Sequence, residues 1–339
     1  MFDFYAQGFF SWAVINSDDR IVRYSRGKKK NLILNQGLDG IAVRSWAESF
    51  KVCAVGTGAN APASSQTGLS EEVKRTQLYL DMENACSAEL VDNKFLLKRT
   101  FVFSPEGTPI IYREAGFSHS TSVGGNLFSK IALPLVSVDA GERLIIQYEL
   151  LLSLEPITSV ALTNPVLNRT SSGLFQFQNI GLAGINSVGE TIHFDEALSC
   201  NEPSASAKGF LSINSSPPAG FPTAEDRTGT TFEKDLTLSS YVAGTYTREK
   251  ILTTTKSEAA GSWSSCGVGS SAGNSFANTG LVYVFNAPLV KASGILSLHF
   301  RYRWSIVTKE NFSTLLYWLD EEKPFLKQNP ILLYFRLSE

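Results

Sequence analysis

Ile295 to Trp304 alternates strictly: Leu296, Leu298, Phe300, Tyr302 and Trp304 are apolar, while Ser297, His299, Arg301 and Arg303 fill the positions between. Successive side chains of an extended chain point to opposite faces, so this pattern demands a strand with one face in a core. Other β-branched or aromatic runs read the same way: Lys94 to Phe103, Leu127 to Val138, Leu144 to Leu154, Leu174 to Phe177 and Leu281 to Val290. Turn signals such as Asp139-Ala140-Gly141-Glu142 separate them. Helical patterns are few. Leu38 to Phe50 carries Ile41, Ala42, Trp46 and Phe50 near helical spacing, and Ser70-Glu71-Glu72-Val73 resembles a helix start running toward Leu78. The expectation is an all-β fold of antiparallel β-sandwich units with one or two short helices.

The two halves echo each other. Leu127 to Val136, a turn and Leu144 to Leu150 match Leu281 to Val290, a turn and Leu296 to Tyr302. Both first strands contain Pro-Leu-Val, and proline there points to an edge strand or a bulge. Val55-Gly56-Thr57-Gly58 and Cys266-Gly267-Val268-Gly269 precede them in the same order. A duplicated sandwich and two unrelated hairpins of similar strand chemistry both account for the echo. The expected organisation is an N-terminal arm at 1–30, a sandwich at 31–160 and a second β-rich domain at 161–339. Residues 200–230 and 256–280, rich in Ser, Gly and small residues, read as exposed loops.

Composition narrows the function. Lys+Arg number 30 and Asp+Glu 32, so the chain is neither a basic nucleic-acid coat nor an acidic tail. Charged residues make up 18%, low enough to suggest a surface partly covered by partners. Cys53, Cys86, Cys200 and Cys266 form no close pair of the kind zinc or redox chemistry needs, and they read as small buried hydrophobes. The sequons at Asn168, Asn214 and Asn311 are expected by chance in a Ser/Thr-rich chain. Gly56-Thr57-Gly58 lacks the following helix and Lys-Ser of a phosphate cradle and reads as a tight turn. His119 sits in a polar loop, His193 precedes Asp195 and Glu196, and His299 lies on the polar face of its strand; none has an identified nucleophile, orienter or metal-ligand set. No catalytic residue, metal or cofactor is expected.

The first fifteen residues are aromatic but lack a basic start, and they are too short to span a bilayer. Phe2, Phe4, Phe9, Phe10 and Trp12 are the candidates for docking a partner, with ordinary core packing as the alternative. Arg20, Arg23, Arg26, Lys28, Lys29 and Lys30 follow, either as a polyanion contact or, as we favour, as a solvated turn.

Several short motifs occur in order: Asn31-Leu32-Ile33-Leu34-Asn35-Gln36-Gly37-Leu38-Asp39, Val55-Gly56-Thr57-Gly58 and Thr67-Gly68-Leu69. They continue with Arg99-Thr100-Phe101-Val102-Phe103, Glu114-Ala115-Gly116-Phe117 and Leu127-Phe128-Ser129-Lys130. Over residues 31–152 this layout resembles bacteriophage tail-associated structural proteins, with Lys130 where arginine is usual and Phe117 where leucine is common. The resemblance implies a virion component, assembled in the host cytoplasm, without enzymatic chemistry. The resemblance does not choose among tail tip, baseplate, fibre base, collar and capsid decoration; the expected place is the tail, at its tip, baseplate or fibre base, with contacts to other virion proteins and to copies of itself as a homo-oligomer. Host-surface contact would be a further role, without membrane insertion or nucleic-acid binding. The rivals are capsid or neck decoration, a polysaccharide-degrading enzyme, and a carbohydrate-binding module. The last would recognise a cell-surface glycan on Trp263, Tyr241, Tyr246 and Phe276.

Overall fold

A computed structural model describes residues 2–80, 87–91, 94–154, 160–164, 169–177, 207–213, 231–272, 275–291 and 296–306. The chain is all-β. Its strands are β1 (Phe2–Ile15), β2 (Ile21–Tyr24), β3 (Lys29–Lys30), β4 (Leu32–Ile33), β5 (Val52–Gly56), β6 (Glu72–Thr76) and β7 (Ser87–Val91). Then come β8 (Lys94–Val102), β9 (Ile110–Ser118), β10 (Leu127–Val138), β11 (Arg143–Leu154), β12 (Val160–Asn164), β13 (Arg169–Phe177) and β14 (Ala207–Ser212). The last six are β15 (Thr231–Asp235), β16 (Thr237–Leu238), β17 (Thr247–Thr253), β18 (Gly261–Ala272), β19 (Ser275–Lys291) and β20 (Ser297–Ile306). The one described α-helix, α1, spans Asn35–Ile41, and a 3-10 turn spans Glu48–Phe50.

The strands form three sheets. A nine-stranded sheet has the order β16-β17-β20-β1-β11-β8-β7, with β2 and β3 also pairing with β1. The other two run β4-β10-β9-β5-β6 and β12-β13-β19-β18-β14-β15. These orders contain a repeat. Every pairing among β4 to β11 recurs among β13 to β20 with each strand number raised by nine. The pairs β4·β10, β10·β9, β9·β5 and β5·β6 become β13·β19, β19·β18, β18·β14 and β14·β15. Likewise β7·β8 and β8·β11 become β16·β17 and β17·β20. All of these pairs are antiparallel.

β1 joins the two lobes. It pairs antiparallel with β11 over Phe4–Ile15 and parallel with β20 over Phe2–Ala6. Phe10, Trp12 and Val14 therefore share a face with their partners Tyr148, Ile146 and Leu144. The register Phe2↔Tyr302 and Phe4↔Trp304 puts Tyr302 and Trp304 on that same face, and one hydrophobic core contains them all. Both smaller sheets thus pack on one face of the large sheet. Since β11 and β20 run oppositely with the same face inward, the lobes are related by about a half-turn around an axis perpendicular to the sheet at β1.

The expected strands are present, and both prolines sit at bulges. β10 slips against β9 between Ala132 and Val136, around Pro134; β19 slips against β18 between Val284 and Leu289, around Pro288. The sequence echo pairs β10 with β19 and β11 with β20 correctly. It misassigns the glycine segments, because the counterpart of β5 is β14, whereas Cys266 to Gly269 lies in β18, the counterpart of β9.

Other expectations change. The sheet takes strands from 1–30 and from both sides of 160, so the arm and the two domains are continuous in it. The helix over Leu38 to Phe50 is broken: Asp39 and Gly40 carbonyls cap α1 at Ala42, and the chain re-enters a 3-10 turn at Glu48. Near Ser70 the expected helix is strand β6, because the Ser70 and Glu71 amides are bound to the Glu114 carboxylate instead of opening a helix. The expected loop at 256–280 is largely β18 and the start of β19, where Gly267 faces the bulky Phe210 across the ladder. His193, Cys86, Cys200 and the three sequons lie outside the described residues.

Candidate functional site

Five of the six motif segments behind the resemblance meet at one place; the sixth, Arg99 to Phe103, lies along β8 of the large sheet. The Glu114 carboxylate on β9 accepts from Lys130 Nζ on β10 at 2.8 Å, from the Ser70 amide at 3.0 Å and from the Glu71 amide at 2.8 Å. Lys130 Nζ also donates to Ser70 Oγ at 3.3 Å, and both charged side chains are fully buried. The pair locks the 57–71 loop over the outer face of its sheet. Gly56 and Gly58 make room for it: a Cβ on Gly58 would lie 2.5 Å from Glu114 Oε1, and one on Gly56 would lie 2.3 Å from the Glu71 carbonyl oxygen. Gly116 packs under Leu127 and Leu69, and Gly37 sits where a Cβ would meet the Phe128 carbonyl oxygen at 2.1 Å. The Thr67 carbonyl accepts from the Leu127 amide at 3.1 Å and from Gln36 Nε2 at 2.8 Å. Burial alone would raise the Glu114 pKa, but the bonds from Lys130 and from the Glu71 and Ser70 amides prevail and hold it below the usual carboxylate range. Desolvating two charges offsets most of their attraction, so the lock specifies one loop position more than it adds stability.

A second cluster lies on the outer face of the large sheet. Ser297 and His299 alternate onto that face of β20, and Glu249 reaches them from β17. Ser297 Oγ lies 3.1 Å from His299 Nε2, and His299 Nδ1 lies 3.0 Å from Glu249 Oε2. Arg301 Nε donates to Glu249 Oε1 at 2.6 Å. The His299 hydrogen bond, opposed by partial burial and aided by Arg301, holds the Glu249 pKa low. Thr253 Oγ1, 3.4 Å from Ser297 Oγ, also lines a shallow groove of about 650 Å³ with Ile251, Thr255, Lys256 and Lys234.

His119 lines a much smaller pocket, about 70 Å³, with Arg44, Gln36 and Asn126. Burial, then Arg44 and Lys51, lower its pKa, so the imidazole is biased toward its neutral form.

The residues expected to bind partners lie elsewhere. Phe9, Phe10 and Trp12 are buried within this chain, because β1 is the central strand of its own sheet; core packing accounts for them. The side chains of Phe2 and Phe4 lie outside the described set. Of the glycan candidates, Trp263 is buried and its Nε1 donates to the Ala259 carbonyl at 2.9 Å. The Tyr241 hydroxyl donates to Asp39 Oδ1 at 2.6 Å, and its ring stacks on Trp304 at 5.8 Å. Tyr246 packs against the core, and the Phe276 side chain lies outside the described set. Trp263 and Tyr241 serve the interior, so they form no open platform. The basic run is in part spent on ion pairs, Arg23 with Asp139 and Glu142 and Lys28 with Glu149. Cys53 and Cys266 are buried free thiols, their pKa values raised by desolvation.

Alternation alone places Ser297 and His299 side by side, but Glu249 comes from a strand some fifty residues earlier (|i−j| = 50) and has no local signal. Glu114 and Lys130 stand out only through the motifs. The chain matches no family model, no curated protein and no solved structure.

Proposed function

We propose that the chain is a structural component of a bacteriophage virion, placed at the tail tip, baseplate or fibre base, where it assembles with other virion proteins and with copies of itself and contacts the host surface. One observation carries this reading: five of the six segments of the tail-protein resemblance converge on a buried lock that fixes a surface loop, and not on an open cleft. A particle component works through surfaces held in one shape, and a loop tied by two amides and a buried ion pair provides such a surface. Leu135 in the β10 bulge and Val290 just past the β19 bulge, each about two-thirds exposed, add apolar contact points.

Immunogold labelling of purified phage particles tests the proposal. Label at the tail end is the expected result. Label over the head or neck would move the chain to a decoration role. Particles without label after mild disruption, with the protein present in the lysate, would overturn it.

A further inference from the structure

We propose that Ser297 is an activated nucleophile that takes the acyl group from small esters, with His299 as its general base and Glu249 as the positioning residue; this goes beyond the virion reading and does not depend on it. The assignment follows from the hydrogen-bond inventory. Glu249, ionised, can only accept, so the His299 nitrogen 3.0 Å from Oε2, Nδ1, carries the proton. Neutral His299 therefore presents the Nε2 lone pair to the Ser297 hydroxyl at 3.1 Å. The base faces the nucleophile through one nitrogen and its orienter through the other, which is the arrangement acyl transfer requires. Arg301 Nε, 2.6 Å from Oε1, fixes the carboxylate from its far side.

The neighbouring groove supplies the seat. Ile251 pairs with His299 and Thr253 with Ser297 across the ladder, so both point to the same outer face, and both line the groove. Ile251 offers apolar surface to a short acyl chain. The Thr253 hydroxyl, 3.4 Å from Ser297 Oγ, is a donor beside the carbonyl oxygen of a bound ester.

The step balances. Ser297 Oγ attacks the ester carbonyl carbon while its proton moves to His299 Nε2. The bond to the leaving alkoxide or phenoxide breaks and acyl-Ser297 remains; His299 returns the proton to the leaving group or to solvent. Water then attacks the acyl group with His299 again as base, releasing the carboxylic acid. A positioned base contributes about 10²–10⁴-fold, and each well-aimed oxyanion donor about 10²–10³-fold. His299 has a half-exposed side chain on an open sheet, so the account asks only for the base's share and for activated esters.

The test is acetylation of the whole chain by p-nitrophenyl acetate, followed as nitrophenolate release and mapped by peptide mass spectrometry. The expected product is a single acetyl group on Ser297, formed at a rate that depends on pH because the base must be unprotonated. His299→Gln should slow acetylation about 10²–10⁴-fold and abolish that pH dependence. Glu249→Gln should slow it less, and Ser297→Ala should remove the adduct. All three side chains stand on the solvent face, and circular dichroism checks that the variants fold. Acetyl groups only on lysines or the N-terminal amine, or acetylation of Ser297 at the same rate in His299→Gln, would overturn the proposal; the site mapping decides on the native chain even if a variant misfolds.

Discussion

The two lobes share a strand order and solve the same burial problem differently. Lobe one buries a cation on β10, Lys130, and matches it with Glu114 on the adjacent strand. Lobe two buries one on β19, the counterpart of β10, but Lys291 is satisfied by the backbone carbonyls of Thr255, Lys256 and Glu258. In each lobe the cation ties a loop to the sheet. The ties fall on opposite sides of the two proline bulges and hold different connections, β5 to β6 in lobe one and β17 to β18 in lobe two, so the shared strand order leaves both the place and the chemistry of the tie free.

The largest expected effect comes from breaking the lobe-one tie. Lys130→Met leaves Glu114 buried and short of its cation, and should cost about 3–5 kcal/mol in denaturant unfolding. Glu114→Gln with Lys130→Met removes both charges and should recover much of that loss. The acid response follows from the same group. The folded-state pKa of Glu114 is lowered, so its contribution is present above the ordinary carboxylate pKa and is lost as pH falls through the folded value. The native chain should therefore lose more stability on acidification than Glu114→Gln does, as thermal melts across that range will show.

Lys291→Met sharpens the contrast. Its carbonyl partners are neutral, so its loss should cost less than that of Lys130, about 1–3 kcal/mol. The glycines divide in the same way. Gly37→Ala drives a Cβ against the Phe128 backbone and should cost about 1–3 kcal/mol. Gly209→Ala in lobe two meets the movable end of Leu236 at 2.8 Å and Leu252 Cβ at 3.0 Å, with no backbone atom as close as the Phe128 carbonyl is to Gly37, and should cost less. Between the lobes, Tyr241→Phe removes the hydroxyl that donates to Asp39 and should cost about 1 kcal/mol. Leu135→Ser and Val290→Ser change exposed strand residues at or beside the bulges, and each should leave the isolated chain within about 0.5 kcal/mol of the native one.

Much of the architecture was legible because strand periodicity is local. Leu127 to Val138 matches β10 residue for residue, and Gly141 takes the positive φ its turn signal implies. The prolines at 134 and 288 marked bulges correctly. What stayed hidden was long-range. Aromatic crowding in β1 looks the same whether it faces a partner or its own core; only pairing with both β11 and β20 decides that. Ser70-Glu71-Glu72 satisfies the local rules for a helix start, and a carboxylate more than forty residues away overrides them (|i−j| = 44 and 43). Trp263 and Tyr241 were picked as exposed aromatics, yet each hydrogen-bonds inside the chain. The Ser297–His299 pair could be read from alternation, while its carboxylate could not.

The central claim is that the chain is a built-in part of a virion. Quantitative peptide mass spectrometry of gradient-purified particles, washed at high salt, tests it most directly. The account predicts this chain at a constant ratio to the other particle proteins across the infectious peak. A ratio that falls toward zero on washing, with the protein left in the soluble lysate, would contradict it.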